Sequence, residues 1–347
     1  MEITTISHKK SIRNTNIEIL RLILMFFICL WHIIVHGFNL KHIGQPTFDY
    51  EGSLTLLTFC SSLFSPAVYC FMFISGWYGI NFSIKKYCHF IFLGICCYFC
   101  SITIRYCWSG EVSLREIITH VFPIASGRWW FFSDYIKVYL IAPFIDKGFI
   151  YIEKKTIYTI VCFMTFLEVG SFTNLVPCYG LSFFGLLYIY IIARFIKLNN
   201  LKISTCKLST IFVISFLIVW GSCNYFAHCD GGKAQLSFIV LDYNNPFIIL
   251  MAISLFLLIN KIRPTSHKWA NKILSNLLAV YLLTEGIDSV LYAYEAQLFK
   301  KTLFGGLLFV LLTIITSLIV GYIISSLFNV IYKSINNHFK HKYKIYY

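Results

Sequence analysis

Asn16 to Gly37 reads NIEILRLILMFFICLWHIIVHG. The stretch is long and apolar enough to cross the ~30 Å hydrocarbon core of a bilayer as one helix, yet it carries Glu18, Arg21, His32 and His36. Arg21 and His32 are 11 residues apart. At 3.6 residues per turn they lie about 20° apart around a helix and ~16 Å apart along it. Glu18 stands three residues before Arg21 and His36 four after His32, so both join nearly the same face. A charge at mid-membrane costs at least ~2.5–3.5 kcal/mol, so this polar stripe is expected to face protein or a wet cavity and to mark a pathway or a site. A quieter reading also fits: Glu18 and Arg21 pair near one boundary, where an Arg side chain snorkels, and His32 is a packing histidine with its hydrogen bonds satisfied.

The rest of the chain repeats the apolar theme. Its 347 residues are 58% hydrophobic and 13% charged, with a mean hydropathy of +0.72, far from the ~25% charged residues of a soluble protein. Candidate spans fall at about 17–38, 56–80, 87–107, 129–149, 156–173, 178–197, 208–227, 246–263, 273–294 and 303–328. Lone hydrophobic segments in lipid must satisfy their backbone hydrogen bonds internally, so the expectation is an all-α polytopic membrane protein of about ten helices. It reads as one domain over residues 1–347, with a core at about 14–330.

Charge fixes an orientation. With the N-terminus in the cytoplasm, most of the 29 Lys and Arg fall on the cytoplasmic side, among them Lys9, Lys10, Arg13, Lys85, Lys86, Lys154, Lys155, Arg194, Lys197 and Lys344. The positive-inside rule then places both termini there. The net charge of +14 is scattered between spans rather than gathered on a soluble domain, which argues against nucleic acid. The first span has full spanning length and no small-residue cleavage site, so it does not read as a removable signal. Thirteen cysteines sit mostly within spans at spacings that fit no zinc pattern; no metal is expected.

The first span resembles that of membrane acyltransferase-3 proteins, especially the bacterial surface-polysaccharide O-acyltransferases, whose hallmark is an Arg followed after ten residues by a His. Arg21 and His32 match it. CFMFISGWYGI (70–80) resembles the family's aromatic-rich end of span two, WWFFSDYIKVYLIAPFID (129–146) its fourth span, and NKILSNLLAVYLLTEGID (271–288) its ninth. Two places depart from the pattern. The family's ninth span often reads Tyr-Leu-Ile-His, whereas Tyr281-Leu282-Leu283 is followed here by Thr284 and Glu285. Many members carry Arg-x-x-Arg after span two, where this chain has Lys85, Lys86 and His89.

The resemblance implies transfer of an acyl group, usually acetyl, from acyl-CoA to a carbohydrate hydroxyl of a surface polysaccharide or lipid-linked glycan, in the bacterial cytoplasmic (inner) membrane. Acyl-CoA, with acetyl-CoA as the expected form, is then a co-substrate, and no bound cofactor is expected. A sugar hydroxyl needs a base as it attacks a thioester, and histidine, with an ordinary pKa near ~6.5, suits that task. His32 is the expected base. Arg21 is expected to grip a phosphate or steady the thioester, with Lys85, Lys86 and Arg194 as further phosphate candidates or as ordinary cytoplasmic charge. Supporting or substrate-binding candidates are Glu18, His36, Ser75, Asp134, Lys137 and Glu285. Asp134 and Lys137 either pair or line the cavity, with Glu168 as another partner for Lys137. Ser75 serves close helix packing or the site. Glu285 either binds sugar hydroxyls or sits on a solvated rim. The rival reading is a transporter, flippase or polymerase of lipid-linked glycans, for which the same stripe would bind and move a ligand; transporters often show internal repeats, and none is visible.

Overall fold

The computed structural model describes residues 14–45, 52–110, 112–122, 124–172 and 180–343; among these the protein is all-helical, with no strand. Lys9, Lys10, Arg13 and Lys344 lie outside the described residues. α1 (Thr15–His32) starts on Asn14, whose side chain accepts from the Asn16 N–H, a cap that satisfies one of the amides a helix start leaves open. The Thr15 N–H donates to the Thr265 carbonyl at 2.8 Å and its hydroxyl to Asn271 at 3.0 Å. These bonds fasten the beginning of α1 to α12 (Lys268–Leu274) and the segment before it. After His32 the helix widens into a π-helical turn, Ile33–Gly37.

α2 (Leu54–Phe64) and α3 (Ala67–Tyr78) continue one another as a single apolar span of 25 residues. α4 (Ile84–Ser109), the short α5 (Leu114–His120), α6 (Trp130–Tyr151), α7 (Lys154–Phe172), α8 (Phe183–Leu198) and α9 (Thr205–Ala227) follow. After the short α10 (Leu236–Val240) come α11 (Pro246–Asn260), α12, α13 (Leu277–Ile287), α14 (Ser289–Lys301) and the long α15 (Leu303–Tyr343). α3, α8 and α11 form the interior, where Tyr69, Phe73, Tyr190 and Phe256 are fully buried. α15 instead leaves Leu308, Leu311, Ile315, Ile319 and Ile323 exposed along one side, a stripe at three- and four-residue spacing that suits contact with lipid.

Six helical stretches among the described residues are long and apolar enough to cross a membrane alone: Thr15–Gly37, Leu54–Tyr78, Ile84–Trp108, Lys154–Phe172, Thr205–Ala227 and Leu303–His338. This is a multi-pass membrane protein. The other expected spans take different forms. α8 and α11 have 16 and 15 residues, about 24 and 22 Å of helix, and much of each is buried in the bundle. α6 is longer but carries Asp134, Lys137, Asp146 and Lys147.

The expected ninth span, 273–294, is not a straight rod. Its helix stops at Asp288, whose φ of 58° and ψ of −133° lie outside the regions open to most non-glycine residues. Beyond this elbow α14 runs at 92° to the rod before it and packs against the π-helical turn and α15. Composition favours the turn, because Glu295, Gln297, Lys300 and Lys301 make α14 a poor continuation through hydrocarbon.

Candidate functional site

The two polar ends of α1 meet one cavity. It has a volume of about 420 Å³ and is walled by α1, α3, α4, α6, α12 and α13 together with the 79–83 connector, which is within the range of ordinary small-molecule sites. Arg21 and His32 both line it, with Met25 and Ile28 between them on the same helix face. That one wall runs from the guanidinium to the imidazole follows from the 11-residue spacing.

At the Arg21 end, Glu18 is buried and its Oε1 accepts from Arg21 Nη1 at 2.7 Å. Pairing and cavity lining, alternatives in the sequence, hold here together. Lys86 and His89 from α4 line the same end, as do Ser275 and Asn276 at the break between α12 and α13. His89 Nε2 lies 3.0 Å from the Ser325 hydroxyl, which donates to Asn276 Oδ1 at 2.8 Å. The remaining wall at this end is the extended connector 79–83 between α3 and α4. Its Ile80 N–H donates to the Tyr190 hydroxyl at 3.2 Å and its Ser83 N–H to the Tyr139 hydroxyl at 2.9 Å. Gly79 has a φ of +75°, and an added Cβ would sit 3.2 Å from both Arg194 Nη1 and Asp146 Oδ2.

At the other end, His32 Nδ1 lies 2.8 Å from Glu285 Oε2 and 2.9 Å from the Tyr292 hydroxyl, and that hydroxyl donates to the same Glu285 oxygen at 2.9 Å. An ionised carboxylate only accepts, so the proton between Nδ1 and Glu285 belongs to the imidazole. Nε2 is then the lone-pair nitrogen, as in a base oriented by a carboxylate. Glu285 and Tyr292 stand behind His32 and do not themselves line the cavity. His36, rotated by the π-helical turn, stacks on Tyr292 with ring centroids 5.7 Å apart. Gly37 lets α14 approach this closely: a Cβ there would fall 2.5 Å from the Tyr292 carbonyl oxygen. Trp130 and Phe131 at the start of α6, with Tyr243 and Tyr281, complete the aromatic wall around His32.

Of the other candidates only Ser75 shares this cavity. Ser75 lines the cavity, while its hydroxyl donates to the Phe71 carbonyl at 3.3 Å. Lys137 pairs with Asp134 at 2.6 Å and neither reaches the cavity lining. Glu168 accepts from Tyr69 at 2.6 Å rather than pairing with Lys137. Lys85 sits over the Tyr332 ring, outside the cavity lining. Arg194 also lies outside it, in an ion pair with Asp146 at 2.8 Å, and Asp146 Oδ1 accepts from the same Tyr190 hydroxyl that holds Ile80. Arg194 thus acts on the connector wall from behind.

Sequence reasoning gave Tyr292 no role and Tyr281 none beyond its motif. Tyr292 follows Glu285 by 7 residues, which is ~10 Å along a straight helix; only the elbow at Asp288 folds the two onto one imidazole.

The arrangement defines a multi-pass membrane protein with a chamber between its helices, cationic side chains at one end and a carboxylate-oriented histidine at the other. In agreement, the family described as Acyltransferase domain (Acyl_transf_3) matches residues 14–326, most of the chain, and the protein belongs to that family. Neither a curated protein nor a solved structure matches it.

Proposed function

We propose that the protein transfers an acyl group, acetyl by family resemblance, from acyl-CoA to a carbohydrate hydroxyl of a surface polysaccharide or lipid-linked glycan. In this reading it is a single catalytic domain in the bacterial inner membrane with about ten membrane passages and both termini in the cytoplasm. The observation that carries the proposal is His32, held through Nδ1 by Glu285 with Nε2 left for chemistry, on a cavity that also includes Arg21 and Lys86. A polyanionic donor enters at the cationic end, where Arg21 and Lys86 bind phosphate and His89 and Asn276 add hydrogen bonds. Its pantetheine arm lies along the Met25–Ile28 wall, which excludes water from the thioester. The acceptor hydroxyl loses its proton to His32 Nε2 as its oxygen attacks the thioester carbon, a form of catalysis that supplies roughly 10²–10⁴-fold.

The test is the base-labile ester content of surface glycan in cells carrying His32→Ala, with membrane insertion of the variant checked by fractionation. Loss of esters with unchanged glycan amount supports the acyltransferase. Loss of the glycan itself replaces it with transport or polymerisation.

A further inference from the structure

Tyr281 is a buried phenol whose O–H has no acceptor among the described residues, while the Phe131 backbone N–H is directed at its oxygen. That is a costly state for a polar group in a low-dielectric interior, and it occurs on the wall of the reaction chamber. Tyr281 and His32 both line the cavity, with ring centroids 6.4 Å apart. The Phe131 ring meets Tyr281 edge-on at 5.7 Å, so the phenol lies against the first turn of α6. The α6 ladder opens with the Ser133 N–H bonded to the Trp129 carbonyl, and no side chain caps the helix. The amides of Trp130 and Phe131 are therefore left over by the helix, at the positive end of its dipole, and both residues line the cavity. An O–H donor with no acceptor among the described residues and the start of a helix, whose Phe131 amide faces the same phenol oxygen, converge beside the proposed base.

We propose that Tyr281 is a catalytic residue: its O–H, backed by the N-terminus of α6, is the oxyanion site for the thioester. This rests on the acyl-transfer reading above. As the acceptor oxygen bonds to the thioester carbon, its proton moves to His32 Nε2 and the carbonyl π pair moves onto oxygen. That oxygen takes the Tyr281 hydrogen bond. When the pair returns, the C–S bond breaks, the sulfur leaves with the bonding pair and takes the proton back from His32. Ester and thiol are the products, with no other reactant needed. The missing acceptor of the resting site is thus the charge that appears only during reaction, which is where a preorganised donor lowers the barrier most.

Tyr281→Phe keeps the ring and removes the donor. In purified protein with acetyl-CoA and an acceptor glycan, kcat is expected to fall roughly 10²–10³-fold with donor KM within about twofold. The second measurement needs no turnover: in a His32→Ala background, infrared spectra of bound acetyl-CoA labelled at the thioester carbonyl should show a lowered C=O stretch that returns toward its free value when Tyr281→Phe is added. A kcat within threefold of wild type, or an unchanged stretch, overturns the role of Tyr281 while leaving the acyltransferase standing. A wild-type protein that neither binds acetyl-CoA nor forms ester overturns both.

Discussion

The two ends of the α1 stripe both pair a cation-forming side chain with a carboxylate, yet they are built in opposite ways. Glu18 and Arg21 are three residues apart on one helix, so any α-helical geometry brings them together. His32 and Glu285 are separated by most of the chain, and their contact exists because α13 packs on α1, with Tyr292 joining them where α14 folds back beyond Asp288. The local pair sets a charge at one end of the cavity. The distant pair sets a direction, because it decides which nitrogen of His32 carries the proton. Donor capture tolerates some freedom in a flexible guanidinium, whereas base catalysis depends on tautomer and aim.

The two carboxylates are not expected to be interchangeable. Glu285→Gln retains shape but loses the acceptor-only charge that fixes the Nδ1 proton, and should lower kcat about 10²–10⁴-fold with donor affinity nearly unchanged. Glu18→Gln leaves Arg21 charged and should change kcat less than tenfold, its effect appearing in donor KM. Steady-state kinetics of the two variants side by side checks this; equal losses of kcat would show that the distant pair holds no special place.

Gly37→Ala touches neither reactant nor base, but its Cβ meets the Tyr292 carbonyl at 2.5 Å and the Ala296 Cβ at 3.0 Å. The π-helical turn and α14 must part to admit it. A cost of about 1–3 kcal/mol is typical of such overpacking, seen as a lower midpoint of thermal unfolding in detergent. Tyr292 and Glu285 would be displaced from His32, so kcat should fall with the midpoint, while Arg21 at the far end keeps donor binding close to wild type. Parallel loss of donor binding would mean that the two ends are mechanically one.

The same contrast governs what could be read from the chain. Helical class, membrane residence and the shared face of Arg21 and His32 follow from periodicity and hydropathy, which act locally, and the structure places both residues on one cavity as that face requires. The Glu18–Arg21 and Asp134–Lys137 contacts are likewise written in a three-residue spacing. The elbow was not legible. A hydropathy window runs straight through Asp288, and only the backbone shows that Glu285 turns inward to His32 rather than outward to a rim. Span counting meets a related limit: α8 and α11 are short helices largely buried by neighbours, so they are apolar from protein packing as much as from lipid. Arg194 illustrates the limit of charge arithmetic. Its place at the end of α8 suggested a phosphate ligand, but Asp146, 48 positions earlier in the chain, pairs with it.

That pairing gives the smallest predicted effect. The connector 79–83 forms part of the cavity wall near Arg21, and two of its amides are held by phenols, Ile80 by Tyr190 and Ser83 by Tyr139. Tyr190 is itself held by Asp146, which Arg194 pins in turn. Tyr190→Phe keeps the ring and frees the Ile80 N–H. One net hydrogen bond is worth ~1 kcal/mol, so donor KM should rise about fivefold with kcat unchanged, and amide exchange in the 79–83 peptide should quicken. The histidine end is out of reach of this change, since Glu285 and Tyr292 hold His32 without touching the connector. A fall in kcat that matches the rise in KM would instead mean that this end of the cavity also sets the geometry of the reacting carbonyl, so that donor capture and catalysis share a wall as well as a helix.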